Sequence, residues 1–446
     1  MKKIVTAGLS MAMAASLLAG CSTGGGTESD GKTLKIAGLE GGYGTAGWEK
    51  VIEEFEKEYD VTVDAKFSSK IADELRPELQ AGNTPDLIYL SVGSEGGLTD
   101  TMIKEKSILE INDVLDLDVP GEDVKVGDKL IDGIEEQLNT MPYADGNLYL
   151  MPINYGPCGL YYNAGLFKEK GWEVPTTWDE MWELGDKAKA EGIALFTYPT
   201  TGYFDAFFSA LLNETAGPEV YAKLMTYDSA AWELPEVKEA FEIVGKLATY
   251  TEPTTVANAN GDNFKKNQQL ILDNKALFIP NGNWLPGEMA EAPRADGFEW
   301  GVTALPKVKA DGNAYATTFT EQVYIPKDAA NVDLAKKFLA FMYSDTAVQA
   351  FYEEGKGALM PVKGVTEFIP EDDPARVYNG LYENGAFANG VGFKVLDNAV
   401  EDANVADPNT GILYATVNAV VNGDTSVDEW HKQVVEAVKK NEEANK

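Results

Sequence analysis

Gly42-Tyr43-Gly44-Thr45-Ala46-Gly47 has the G-x-G-x-x-G spacing of a dinucleotide fingerprint, with Asp64 near the end of the next apolar run, where an acid would meet a ribose. Glu40 stands in the same loop where a pyrophosphate would have to arrive, and Tyr43 is bulky for a phosphate cradle. The run therefore reads as a tight strand-to-helix turn at the carboxyl end of a strand, the edge that lines ligand crevices in open α/β sheets. Aromatic side chains offer a second chemistry. They make up 10% of the chain, and Tyr43, Tyr155, Tyr203, Phe204 and Trp284 fall in turn-rich segments away from helical core spacing. A flat ring suits the C–H face of a sugar, while the neighbouring Asn154, Asp205, Asn281 and Asn283 can bond hydroxyls. Each ring could equally pack as ordinary core. The amide-rich turn favours the ligand reading most for Trp284.

Carboxylates are abundant enough for a glycosidase pair, but no spacing singles one out. Asp116 to Asp123 lacks the alternating ligands and central glycine of a calcium loop and reads as a solvated turn. There is one histidine, His431, and two cysteines, Cys21 and Cys158, which removes the raw material for most catalytic triads and zinc sites. No catalytic residue, metal or cofactor is expected.

With 446 residues the chain can build two or three sizeable cores at about 100 to 200 residues each. Apolar residues at 44% and charged residues at 24% describe a folded protein, and a formal charge of -35 repels a nucleic-acid backbone. Lys2 and Lys3 precede an uncharged apolar run, Ile4 to Ala19, which has the layout of a secretory signal over residues 1–20. Leu18-Ala19-Gly20-Cys21 resembles a bacterial lipobox, in which the cysteine becomes the lipidated N-terminus. Residues 21–33 then form a Gly/Ser/Thr-rich tether, and the mature protein is expected outside the cytoplasm, anchored to the bacterial cell membrane through lipid on Cys21. Acylation would leave Cys158 without a disulfide partner.

The elements that must position these residues follow from hydrophobic period. Leu34 to Ala37, the alternating Val61 to Phe67, and Asp86 to Leu90 read as strands, separated by helices carrying Trp48, Val51, Ile52, Phe55 and Ile71, Leu75, Leu79. That order predicts a parallel sheet. A second α/β series includes a strand at Gly159 to Tyr162, a helix opened by a capping box at Thr177 and Glu180, and a strand at Ile193 to Phe196. Further helices fit Val237 to Leu247, Leu334 to Met342, and a last one capped by Ser426 with Glu429.

Five stretches in order, GYGTAGWEKVIEEFEKEYDVTV, AGNTPDLIYL, MPINYGPCGLYYNAGLFKEKGWEVPTTWDEM, FIPNGNWL and EQVYIPKDAANVDLAKKFLAFMYS, resemble the extracellular solute-binding proteins of carbohydrate ABC importers. The wording of GLYYNAGLFKEKGWEVPTTWDEM, PNGNWL and GFEWGVTALP is similar to those that bind N-acetylglucosamine or diacetylchitobiose. The resemblance implies a two-lobe, periplasmic-binding-protein-like α/β fold with a ligand cleft and hinge: one lobe from 34–154 plus 308–355, the other from 158–307 plus 356–446. It also implies a carbohydrate ligand, ABC permease and ATPase subunits as partners, a monomeric state and no enzymatic activity. A cell-surface glycoside hydrolase and a glycan-adhesion module are the alternatives. By the same resemblance Glu40 and Gly41 fall on polar residues of the first strand-to-helix loop, and Tyr203 and Trp284 on stacking aromatics. Charged sugar contacts of the maltose-type members fall here on Gly93, Ser94 and Gly156, which argues against maltodextrin. Glu321 replaces a small residue and is a candidate contact, or else a strand-end charge.

Overall fold

The computed structural model describes the backbone of residues 31–446 other than Val391 and Pro408, and the side chains of these except at positions 201, 202 and 262. The signal at 1–20, Cys21 and the tether up to residue 30 lie outside the described residues.

Strand β1 (Thr33–Leu39) leads into the helix Ala46–Tyr59, whose Trp48, Val51, Ile52 and Phe55 share one face and are all buried. Asp60 ends that helix in the left-handed region at φ 52°. β2 (Thr62–Ser68) and β3 (Leu87–Tyr89) flank β1 in parallel pairing, as the strand-helix alternation predicts. Then come β4 (Leu150–Asn163), β5 (Ala194–Phe196), β6 (Ala276–Gly282), β7 (Trp300–Thr303), β8 (Ala314–Tyr324) and β9 (Ala386–Gly390). The order is β2-β1-β3-β8-β4-β6-β5, with β7 on β4 and β9 on β8. The expected capping box is present: Thr177 accepts from the Glu180 amide and the Glu180 carboxylate accepts from that of Thr177.

Among the described residues, the two largest hydrophobic cores each mark a lobe. One gathers Trp48, Phe55, Phe338 and Phe351; the other gathers Phe208, Trp232, Phe241 and Trp430. β4 and β8 belong to both. Leu150 to Ile153 pair with the end of β8 in the first lobe, and Cys158 to Tyr161 pair with β6 in the second. Tyr315 packs into the second core and Val323 into the first, so β8 runs from one to the other. The chain keeps contact with the first core beyond residue 356. Leu359, Met360, Val362, Val365 and Ile369 still pack in the first core, because the chain runs past Tyr155, whose amide donates to the Leu359 carbonyl at 2.9 Å. No described helix is long and apolar enough to cross a membrane.

Candidate functional site at the lobe crossing

Where β4 and β8 lie side by side, Ile153 pairs with Glu321 and Gly156 with Phe319, so Asn154 and Tyr155 together oppose Thr320 alone. This is a β-bulge, a device that re-aims side chains. Asn154 takes the left-handed conformation at φ 44°, which asparagine tolerates better than most residues. Its Nδ2 donates to Glu321 Oε2 at 2.8 Å, and the Tyr89 hydroxyl, at the end of β3, donates to the same oxygen. Burial pushes the Glu321 carboxyl up, and these two donors partly oppose the shift. Tyr43 reaches the cluster from the loop after β1. Burial first, and the Glu321 charge second, push its phenol up to about 12. Asn154 Oδ1 is buried without a partner.

An aromatic platform adjoins this polar cluster. β6 is held to β4 by the pairing of Gly282 with Cys158, and the Asn283 amide donates to the Pro157 carbonyl at 3.1 Å. Asn283 Nδ2 also donates to Asn379 Oδ1 at 2.9 Å, which fixes the turn that delivers Trp284. The half-buried indole lies over two glycines. A Cβ on Gly282 would meet it at 2.2 Å and one on Gly156 at 3.0 Å, so Gly156 leaves no room for the glutamate of the maltose-type pattern while the indole stays in place. Tyr203 and Phe319 flank Trp284 at 6.2 and 6.0 Å between ring centroids, and Phe264 stacks on Tyr203 at 6.0 Å. Phe319 and Glu321 are alternate residues of β8 and share a face, about 7 Å apart along the strand. Platform and carboxylate are thus neighbours.

The structure brings together Tyr43, Asn154, Tyr203, Asn283, Trp284 and Glu321 among the expected contacts. Glu40 is exposed at the mouth of the same loop, its amide donating to the Ser68 carbonyl at 3.2 Å, and Gly41 accepts from the Gly44 amide in the tight turn. Two of the expected contacts are placed within the cores. Tyr155 is 1% exposed and packs into the first core, because the bulge turns it away from Asn154. Phe204 is fully buried and stacks on Phe208 at 5.7 Å, since it follows Tyr203 in a helical turn and points to a different side. Asp205 and Asn281 are likewise buried. Tyr89, Phe319 and Phe264 were not singled out from sequence. The Phe319-x-Glu321 alternation was the available signal for two faces of chemistry on one strand.

A flat apolar platform beside a carboxylate, hydroxyls and a free amide acceptor suits a ring with an apolar face and hydroxyl or amide edges. The lone histidine is elsewhere, its Nε2 2.8 Å from the Trp232 carbonyl oxygen, and burial pushes the Cys158 thiol up, away from a reactive thiolate.

Two packed α/β lobes joined by shared strands, with this cluster at the crossing, make the two-lobe fold of periplasmic solute-binding proteins. The family model for bacterial extracellular solute-binding proteins matches residues 50–376, and the chain belongs to that family. Diacetylchitobiose binding protein of Streptomyces coelicolor is 28% identical over 348 residues, 76% of this chain and 71% of that protein. Among solved structures, the bacterial solute receptor AcbH, described as preferring β-D-galactopyranose, superposes with a TM-score of 0.69 at 18% identity, covering 92% of this chain and 98% of its own. A chitin oligosaccharide binding protein gives 0.58 at 19% identity, covering 93% and 98%. These two structural likenesses show the shared fold.

Proposed function

We propose that the chain is the extracytoplasmic receptor of a carbohydrate ABC importer, taking N-acetylglucosamine or its β-linked dimer, diacetylchitobiose, and handing it unchanged to a permease driven by ATPase subunits. The observation that carries this reading is the Trp284 indole on its glycine bed, flanked by Tyr203 and Phe319 and adjoining Glu321. One pyranose face would stack on the platform, while Glu321 accepts from hydroxyl or acetamido N–H groups and Asn154 Oδ1 takes a further donor. Glu40, Gly41, Tyr43 and Asn283 would complete the rim. The name carried by the Streptomyces relative supports the amino-sugar choice. Such a receptor works as a monomer, held to the membrane by lipid on Cys21.

A solute that binds only the folded state adds RT ln(1 + [L]/Kd), about 2.7 kcal/mol at a hundredfold excess over Kd. The melting temperature is therefore expected to rise with N-acetylglucosamine or diacetylchitobiose and to stay fixed with amino acids and short peptides. The sugar should be recovered intact after incubation. A shift with peptide alone, or hydrolysed sugar, would overturn the assignment.

A further inference from the structure

A second cavity, of about 710 Å³, lies between the lobes and shares no lining residue with the Trp284 platform or the Glu321 cluster. Its size is within the usual 300 to 1,000 Å³ of small-molecule sites. Asp132 to Gly146 wall it from the first lobe, Asn213 and Pro218 to Thr226 from the second, and Ala388 to Gly390 of β9 lie between them. The polar groups there are unusually short of partners. Gln137 is 8% exposed, its side chain lies against Gly390, and neither of its amide atoms has a hydrogen bond. Asn213, 6% exposed, spends its Nδ2 on Asn389 Oδ1 at 2.9 Å and leaves Oδ1 unpaired. Glu135 Oε2 is buried and unpaired as well. A buried polar atom without a partner loses its hydration with nothing in return, so several at one cavity point to a bound partner.

The chemistry of that partner follows from the inventory. Three of these four atoms are acceptors and only Gln137 Nε2 is a donor. Asp132, Glu135 and Glu136 line the space, Asp132 being paired with Lys363, and no Lys, Arg or His is among the described lining residues. Tyr221, Tyr315 and Phe387 add aromatic faces, which suit a cation. We infer that this cavity is a second binding site, for a small organic amine in its cationic form, with Glu135 as counter-ion and the Gln137 and Asn213 carbonyl oxygens as acceptors. Because its walls come from both lobes, an amine bound there contacts both at once.

The test is calorimetry on the mature protein with putrescine and ethanolamine as cationic probes, glycerol as a neutral polyol and magnesium chloride as an inorganic cation. Saturable binding of an amine, absent for glycerol and magnesium, is expected. It should weaken about tenfold or more in Glu135→Gln and in Gln137→Met, and persist in Trp284→Ala. The two cavity variants should keep wild-type affinity for diacetylchitobiose, and melting curves of each establish folding; if one fails to fold, the other decides. No amine binding, equal binding in the folded cavity variants, or displacement of the amine by the sugar would overturn the second site. None of these results touches the platform's assignment, which fails only if sugar binding itself is absent.

Discussion

Asp205 shows how much a single position can change between sequence and structure. Beside Tyr203 and Phe204 it reads as a hydroxyl-binding carboxylate, yet it is 2% exposed, with Oδ1 unpaired. Burial raises it from 3.8 to about 7, partly opposed by backbone amides. The folded state therefore keeps a proton that the unfolded chain releases above about pH 4, so this residue's contribution to stability falls as pH rises from there toward 7. Asp205→Asn should flatten that decline, raising the melting temperature more at pH 8 than at pH 4.5; an equal shift at both would contradict a buried proton. Sequence reasoning could place such residues near the site but could not separate those that face a ligand from those beneath it. Tyr155 and Phe204 make the same point, since one bulge or one helical step decides which way a ring points.

At the scale of elements, helices were legible because apolar residues at three- and four-residue spacing bury one face, as in Ala46–Tyr59 and Val427–Ala444. β8 and β9 were not. Ala314 to Tyr324 holds Thr-Thr-Phe-Thr-Glu at its centre, where the strand leaves one core for the other and no apolar alternation survives. β4 was seen only over Gly159 to Tyr162, although it begins at Leu150, because its bulge and the Gly-Pro at 156–157 look like a turn. The platform depends on strand ends meeting. Gly282 sits in extended β6 outside the left-handed region, so an alanine there costs contact alone: its Cβ would fall 2.2 Å from the indole. Gly282→Ala should displace the ring and weaken sugar binding by about tenfold or more, the scale of one lost stacking contact. Wild-type affinity in a crystal-verified or melting-verified folded variant would remove the glycine bed from the account.

Over the whole molecule, two lobes share β4 and β8, and the family layout was readable from the order of five short stretches. The anchor belongs to this scale too. One acyl chain holds a protein only marginally, with K of about 10⁴ M⁻¹, whereas two give stable attachment. Cys21→Ala should shift the protein out of the membrane fraction or block its processing; equal retention would leave only a cleaved signal. The central claim is that a sugar stacks on Trp284 at the lobe crossing. An indole stacked on a pyranose contributes on the order of 1 to 3 kcal/mol, by analogy with stacking on other flat ligands. Titration calorimetry of diacetylchitobiose on wild type and Trp284→Ala, with thermal melting of both unliganded forms, tests it most directly. Stacking on Trp284 predicts about a 10 to 100-fold loss of affinity with little change in melting. Unchanged affinity with about 3 to 5 kcal/mol of lost stability would make the ring a core residue and contradict it.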